Sequence, residues 1–238
     1  MSKYIFDNDY NADSLRWIRK IEEKNLQPTS KLDDLESFQN EIISNKDSAL
    51  AYFFAIEYGY KPYRMQKIII DEKDPKYSYL FAQNIANADI KALQKVVIES
   101  KNPKYICKFA CFVRGAELKP LETLIIKSKN VKYAHMYIKH IHNVNINKFK
   151  NIIISSKKPR YLFELAKHLR DSKDLELVED LIIESGSFTY MRLFADKIKR
   201  ANVEKIEQAL LSFNNMDEIK KFAKNVRKSK MKKFILVM

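Results

Sequence analysis

Lysine and arginine recur at fixed intervals over much of the chain, and their spacing could suit the binding of phosphate groups. Two columns repeat every 28 residues, the first at Lys73, Lys101, Lys129 and Lys157 and the second at Lys76, Lys104, Lys132 and Arg160. On stacked helix pairs, neighbours in a column would lie about 10 Å apart, a ladder of cations that could follow a phosphate backbone. The alternative is that these side chains offset helix dipoles or remain hydrated at tight turns.

A second basic feature lies near the end of the chain. Residues 219–234 contain eight basic side chains and no acidic one. In a helix, Ile219, Phe222, Ala223 and Val226 would form an apolar stripe. The cations expected on the remaining face are Lys220, Lys221, Lys224, Arg227 and Lys228. Basic amphipathic helices bind nucleic acid, anionic membranes or acidic grooves, and the alternative is a last repeat with a hydrated outer face.

Aromatic residues repeat with the same period as the cations. Tyr77, Tyr105, Tyr133 and Tyr161 follow one another at intervals of 28 residues. Exposed rings at such positions could stack on bases. Each tyrosine, however, lies one helical turn before an apolar column that begins with Phe81 and Phe109. This position favours packing against the neighbouring repeat.

Cysteine and histidine could in principle form a metal site. Cys107 and Cys111 lie four residues apart, and Cys107 shares a repeat column with His135. Zinc ligands normally come in tight pairs such as CxxC, and adjacent columns are about 10 Å apart. We therefore predict no metal site. Two thiols on one helical face do not easily form a disulfide, so we expect a reducing compartment.

No catalytic motif is found in the sequence. Walker loops, GxSxG and HExxH are absent, although each would mark a common active site. The prediction is therefore a protein without enzyme activity and without a cofactor.

The repeat itself is the strongest signal for the fold. Residues 74–101, 102–129, 130–157 and 158–186 align with one another, and more degenerate copies flank them. Asp74-Pro75 and Asn102-Pro103 each combine an N-cap residue with proline at the first helical position. Each unit is therefore predicted to contain helix A, a short polar break and helix B. Helices this short require stacking against neighbours to be stable.

The aligned units resemble α-solenoid helical-repeat proteins. More narrowly, they resemble short arrays of about 28-residue helix–turn–helix repeats with a YxxxFA…LxxxIIxS pattern, found in uncharacterised proteins of bacteria, phages and large viruses. The resemblance covers about residues 35–226, and such arrays serve as scaffolds for many partners. We predict an all-α, right-handed α-solenoid of about seven repeats with an N-terminal helical cap around residues 12–25.

The domain prediction is a single body without a linker. Residues 1–47 are assigned to the cap and a degenerate first unit, 48–218 to the repeats, and 219–238 to a basic capping helix with an apolar tail. The apolar residues 234–238 should pack on the last repeat, dock a partner or mediate self-association. No signal peptide or transmembrane run is present, so we expect a cytoplasmic protein, with a host cell left open as its location.

The charge distribution carries the functional prediction. The sequence has 44 basic and 30 acidic side chains; residues 1–72 hold 10 and 13 of them, and residues 73–238 hold 34 and 17. This excess favours an anionic partner. We predict a non-catalytic protein that holds nucleic acid or a nucleoprotein on a curved basic surface. The alternative is a scaffold or inhibitor, of viral or mobile-element type, that docks an acidic protein surface.

A third hypothesis is a DNA glycosylase, because some of these enzymes are basic helical-repeat proteins. They use Trp and Asp in a concave groove. The only tryptophan here is Trp17, in the acidic N-terminal region, and this disfavours the enzyme hypothesis.

Overall fold

The computed structural model describes residues 11–27 and 30–231, and all regular secondary structure in these ranges is helical. The predicted all-α class is therefore confirmed. The chain divides after Ser128 into two compact units. The helices of the first unit are α1 (Asn11–Lys24), α2 (Leu32–Asn45), α3 (Ser48–Tyr58), α4 (Pro62–Asp71), α5 (Pro75–Asn84), α6 (Ile90–Glu99), α7 (Pro103–Phe112) and α8 (Leu118–Lys127). Those of the second are α9 (Val131–His140), α10 (Asn147–Ser155), α11 (Pro159–Ala166), α12 (Ser172–Glu184), α13 (Phe188–Lys197), α14 (Val203–Ser212) and α15 (Met216–Asn225).

Within each unit, helices alternate between two sets, as the A and B pattern predicts. In the first unit the A helices α3, α5 and α7 contact one another in order, and each packs against the B helix that follows it. In the second unit the A helices are α9, α11, α13 and α15, and the B helices are α10, α12 and α14. Among residues 11–27 and 30–231, no helix is long and apolar enough to cross a bilayer.

Side-chain caps start the A helices where the sequence predicts them. The Asp74 carboxylate accepts hydrogen bonds from the backbone N–H groups of Lys76 and Tyr77, and Pro75 follows it in the first turn. Asn102 accepts from the N–H of Lys104 in the same way. Such caps stabilise a helix by about 1 kcal/mol, and both predicted N-caps are confirmed.

A left-handed residue separates each B helix from the next A helix. The φ angle is 53° at Lys73, 52° at Lys101, 51° at Lys129 and 50° at Lys157, and the equivalent positions hold Gly186 at 65° and Asn214 at 50°. Glycine and asparagine are the residues that favour this conformation. The first lysine column therefore occupies a backbone position that is strained for lysine by about 1 kcal/mol.

Aromatic and aliphatic columns form the core of each unit. Phe81 and Phe109 in the first unit, and Tyr137, Leu165 and Phe194 in the second, are buried. The tyrosines contact the preceding A helix: the ring of Tyr77 lies 5.7 Å from that of Tyr52, and Tyr161 lies 5.2 Å from His135. The predicted packing of the tyrosines against a neighbouring repeat is confirmed at these two positions.

A column of polar side chains on the B helices joins each repeat to the next, and we call it the polar column. It comprises Gln39, Gln66 and Gln94 in the first unit, and Lys150, Glu179 and Glu207 in the second. Gln94 donates to the carbonyl of Glu117 at 3.0 Å and accepts from its N–H at 2.8 Å. Glu179 accepts from the N–H of Asn202 at 2.8 Å. These bonds fix where the next B helix begins.

Helix α1 lies where the helical cap was predicted and packs on the first repeat. The Trp17 indole stacks between Phe38 at 5.8 Å and Phe53 at 5.9 Å. Asp13 accepts a hydrogen bond from the Tyr77 hydroxyl at 2.5 Å and another from the Lys76 ammonium at 2.7 Å. Burial tends to raise the pKa of Asp13, but these hydrogen bonds outweigh it, so the pKa is lowered.

The basic segment near the end is helical over a shorter range than expected. Helix α15 ends at Asn225, and Val226 is extended. Ile219, Phe222, Ala223 and Val226 are buried, as the apolar stripe predicts. Beyond them, Ser229 and the N–H of Lys230 bind the Glu207 carboxylate. The apolar residues 234–238 lie outside the described residues.

Candidate anion-binding surface

The C-terminal ends of the A helices of the second unit, together with the loops that follow them, carry a set of basic side chains, which we call the loop ridge. Every one of its members is exposed. In chain order, the loop ridge consists of Lys139, His140 and His142, then Lys167, His168 and Arg170, then Lys197, Lys199 and Arg200, and finally Lys224, Arg227 and Lys228.

The local fold explains why these side chains point outward. Most of the A helices end at an extended aliphatic residue. In α13 and α15 these are Ile198 and Val226, whose N–H groups bind the carbonyls of Phe194 and Phe222. Ile198 and Val226 are buried. Successive side chains of extended backbone point to opposite sides, so the residues that flank each buried aliphatic are directed to solvent.

Hydrogen bonds between successive loops bring the basic residues of different repeats together. Arg200 donates to the carbonyls of Arg170 at 2.8 Å and Leu169 at 3.0 Å. Lys228 donates to the carbonyl of Lys199 at 3.1 Å. Cations separated by about 30 residues in sequence are therefore neighbours in space.

Few acidic groups neutralise the loop ridge. Lys167 pairs with Glu164 at 2.8 Å and Lys197 with Asp196 at 2.9 Å. Lys139, Arg170, Lys199 and Lys224 form no ion pair with the described residues. Cations near a helix C-terminus also offset its dipole, but three of the four loops carry two or three lysine or arginine side chains, more than one for each helix end.

Among its described residues, the first unit has no comparable set of basic side chains at the ends of its A helices. The matching positions at the end of α5 are Asn84 and Ala86, and the loop after α7 has Arg114 as its basic residue. After α3, Lys61 pairs with Glu36 at 3.0 Å. Residues 129–238 contain 24 basic and 12 acidic side chains, whereas residues 1–128 contain 20 and 18. The excess charge is therefore concentrated in the second unit, where the loops expose it.

The two lysine columns predicted to bind anions lie at the other end of the A helices. Lys73, Lys101, Lys129 and Lys157 are exposed at the left-handed turns. An A helix of about ten residues separates them from the following loop by about 15 Å. The columns and the loops of one repeat therefore lie at opposite ends of its A helix.

The second column is largely engaged within the protein. Lys76 forms the ion pair with Asp13, Lys104 lies over the Tyr105 ring at 5.3 Å, and Lys132 lies over Tyr133 at 5.8 Å. Arg160 is exposed. These contacts reduce the capacity of the column for an external anion.

The five C-terminal cations divide between the loop ridge and its surroundings. Lys224, Arg227 and Lys228 belong to the loop ridge. Lys220 is exposed on α15, and Lys221 pairs with Glu218 at 2.7 Å. The cations predicted from the sequence thus include those of the last loop and not those of the other three. The signal for those three was present, because basic residues flank Ile141, Leu169 and Ile198 at the repeat period.

All four histidines lie in the second unit, three of them on the loop ridge. The fourth, His135, lines a cleft of about 150 Å³ between α9 and α11 together with Lys139, Glu164 and His168. Burial lowers the pKa of His135, which the nearby Glu164 carboxylate partly opposes. His135 is therefore biased towards its neutral form.

The cysteines and the other candidate metal ligands do not form a cluster among the described residues. Cys107 and Cys111 form no disulfide, and their sulfur atoms lie 3.9 Å apart. Within residues 11–27 and 30–231, no group of three His, Cys, Asp or Glu side chains is placed to hold a metal ion. An open groove of about 1080 Å³ runs between α6 and α8 in the first unit, and both lysines and carboxylates line it.

The chain was compared with known proteins at three levels. No protein-family model, no curated protein and no solved structure matches it.

Proposed function

We propose that the chain is a non-catalytic nucleic-acid-binding protein and that the loop ridge is its contact surface. The observation that carries the proposal is the set of exposed basic side chains on four neighbouring loops of the second unit. Loops linked by the bonds of Arg200 and Lys228 present their cations in a row. A row of cations matches a partner with regularly repeated negative charge, which a phosphate backbone provides.

The scaffold that we propose is a right-handed α-solenoid of about seven repeats, similar to the short helical arrays described above. The support comes from features that recur in both units: the caps, the left-handed turns and the polar column. In such an array each repeat depends on its neighbours for burial. The loops would then keep a fixed order along the partner.

The test is a comparison of two variants that lose the same charge. The ridge variant carries Arg170→Gln, Lys199→Gln, Lys224→Gln and Arg227→Gln. The control variant carries Lys73→Gln, Lys101→Gln, Lys129→Gln and Lys157→Gln at the left-handed turns. Binding of a fluorescent nucleic acid is measured by anisotropy over a salt series, and circular dichroism checks that both variants are folded.

We expect the ridge variant to bind at least about tenfold more weakly and with a shallower salt dependence, because each lost phosphate contact reduces the slope by about 1. The control should lose much less. Equal losses in both variants would assign the binding to net charge alone and reject the loop ridge. Salt-insensitive binding would reject phosphate contacts, and binding only to an acidic protein such as polyglutamate would replace nucleic acid by the protein-partner alternative.

A further inference from the structure

We infer that the nucleic acid held by the loop ridge is a duplex, bound through its phosphates without base stacking and without sequence preference. This inference rests on the proposed function and adds the class of nucleic acid. Its starting point is the mismatch between many exposed cations and few available aromatic faces in the second unit.

Proteins that hold single strands combine a basic groove with aromatic side chains, and each stacked base contributes about 1–3 kcal/mol. Several rings of the second unit are engaged instead with neighbouring rings. Tyr161 packs on His135 at 5.2 Å and Tyr190 on Phe163 at 6.1 Å. Within residues 129–231, Phe213 is the one large aromatic side chain that is exposed. It lies at the turn before α15, at the opposite end of the A helices from the loop ridge.

Few side chains of the loop ridge are suited to base-edge recognition. Sequence is usually specified by Arg, Asn or Gln presented to a groove. Arg200 already donates to two backbone carbonyls, Asn202 caps α14, and Asn225 donates to the carbonyl of Lys221. Arg170 and Arg227 are the other arginines of the loop ridge, and its remaining cations are lysines. Lysine and arginine contacts to phosphate carry no sequence information, and we infer that these dominate.

Charge density favours the duplex over a single strand. A duplex presents one negative charge per ~1.7 Å of its axis, twice the density of one strand. Four loops on helices packed about 10 Å apart extend over about 30 Å. At about 3.4 Å per base pair, this length corresponds to about nine base pairs, close to one turn of the double helix.

The experiment compares nucleic acids of matched length on the intact chain. The probes are two 20-base-pair DNA duplexes of unrelated sequence, a 20-base-pair RNA duplex, their separate strands and oligo-dT of the same length. DNA hairpins with stems of about 6, 10 and 14 base pairs measure the footprint. All are titrated at one salt concentration and repeated with the ridge variant.

We expect duplexes to bind at least about tenfold more tightly than single strands, and the two DNA sequences to agree within about twofold. Affinity should rise steeply between stems of about 6 and 10 base pairs and little beyond. If single strands bind as tightly as duplexes and the ridge variant abolishes that binding, the duplex inference fails while the proposed function stands. A strong preference for one duplex sequence would also overturn it. If no probe binds, the proposed function itself fails.

Discussion

The guanidinium of Arg200 donates a 2.8 Å hydrogen bond to the backbone carbonyl of Arg170, so that two loops from successive repeats are held together by a residue that is itself exposed. A second bond reaches the carbonyl of Leu169 at 3.0 Å. Arg200 thus positions the neighbouring cations of the loop ridge as well as adding its own charge.

Replacing Arg200 should separate these two roles. Arg200→Ala is expected to lower the free energy of unfolding by about 1 kcal/mol, the usual contribution of such hydrogen bonds, and to weaken nucleic-acid binding. Arg200→Lys keeps the charge but cannot form the same two-pronged contact, so we expect it to bind between Arg200→Ala and the unaltered chain. Urea unfolding and anisotropy measure the two effects. Binding by Arg200→Lys equal to that of the unaltered chain would show that charge alone matters.

Removing the Asp13 carboxylate should destabilise the first unit. Asp13→Ala leaves the buried hydroxyl of Tyr77 without its partner, and we expect a loss of about 1–3 kcal/mol at neutral pH. Glu22→Ala, an exposed change on the same helix, is the control and should have little effect.

The pH dependence of this loss follows from the lowered pKa of Asp13. The stabilisation should be fully present above the ordinary carboxyl pKa of about 4 and lost as the pH falls through the lower value in the folded state. Urea unfolding at about pH 7 and about pH 3 measures it. A difference between Asp13→Ala and the unaltered chain that persists undiminished at the lower pH would contradict this assignment.

Lys101→Gly should stabilise the protein, although it removes a side chain from a helix end. The φ angle of 52° at this position is strained for lysine and free of strain for glycine, and Gly186 occupies the equivalent turn. We expect a gain of about 0.5–1 kcal/mol. Lys95→Gly, in the middle of α6, is the control and should destabilise by about 1 kcal/mol. The same sign for both changes would show that backbone strain is not the cause.

Glu179→Gln should stabilise the second unit at neutral pH. Burial raises the pKa of Glu179, against the opposing effects of the Asn202 N–H and Lys205. The contribution of Glu179 to the free energy of unfolding is therefore greatest below the ordinary pKa of about 4.3. It declines as the pH rises through the raised pKa of the folded state. Glutamine keeps the acceptor, and Gln94 has this role in the first unit.

We expect Glu179→Gln to raise the urea midpoint at about pH 7 and to leave it nearly unchanged at about pH 4. Glu176→Gln, an exposed change on the same helix, is the control and should leave the midpoint unchanged at both pH values. A lower midpoint for Glu179→Gln at neutral pH would contradict this expectation. It would mean that the charged hydrogen bond between Glu179 and Asn202 stabilises the fold by more than the burial of that charge costs.

Much of the local structure could be predicted because it depends on nearby residues. Asp74 and Asn102 predict helix starts because their side chains bind N–H groups two or three residues later. Phe81 and Phe109 predict the core by their helical spacing. Such signals are complete within one repeat.

The polar column and the loop ridge could not be assigned in the same way. Gln94 has the appearance of a surface residue in the sequence, and only the presence of Glu117 from the next repeat explains its burial. The sequence predicts a basic helix that continues to residue 234, but α15 ends at Asn225. Val226 is extended there, as Ile198 is at the end of α13. The basic residues after these aliphatics become a surface only through contacts between loops.

The polar column sets a rule for changing the length of the protein. Gln66 reaches Asp89 and Gln94 reaches Glu117 across the same separation of 23 residues. Excising residues 74–101 would join Lys73 to Asn102 and place Gln66 at that separation from Glu117, with a left-handed residue still preceding an N-cap. A chain shortened by this one module should fold, whereas an excision a few residues longer or shorter would leave the half-buried Gln66 amide without a partner.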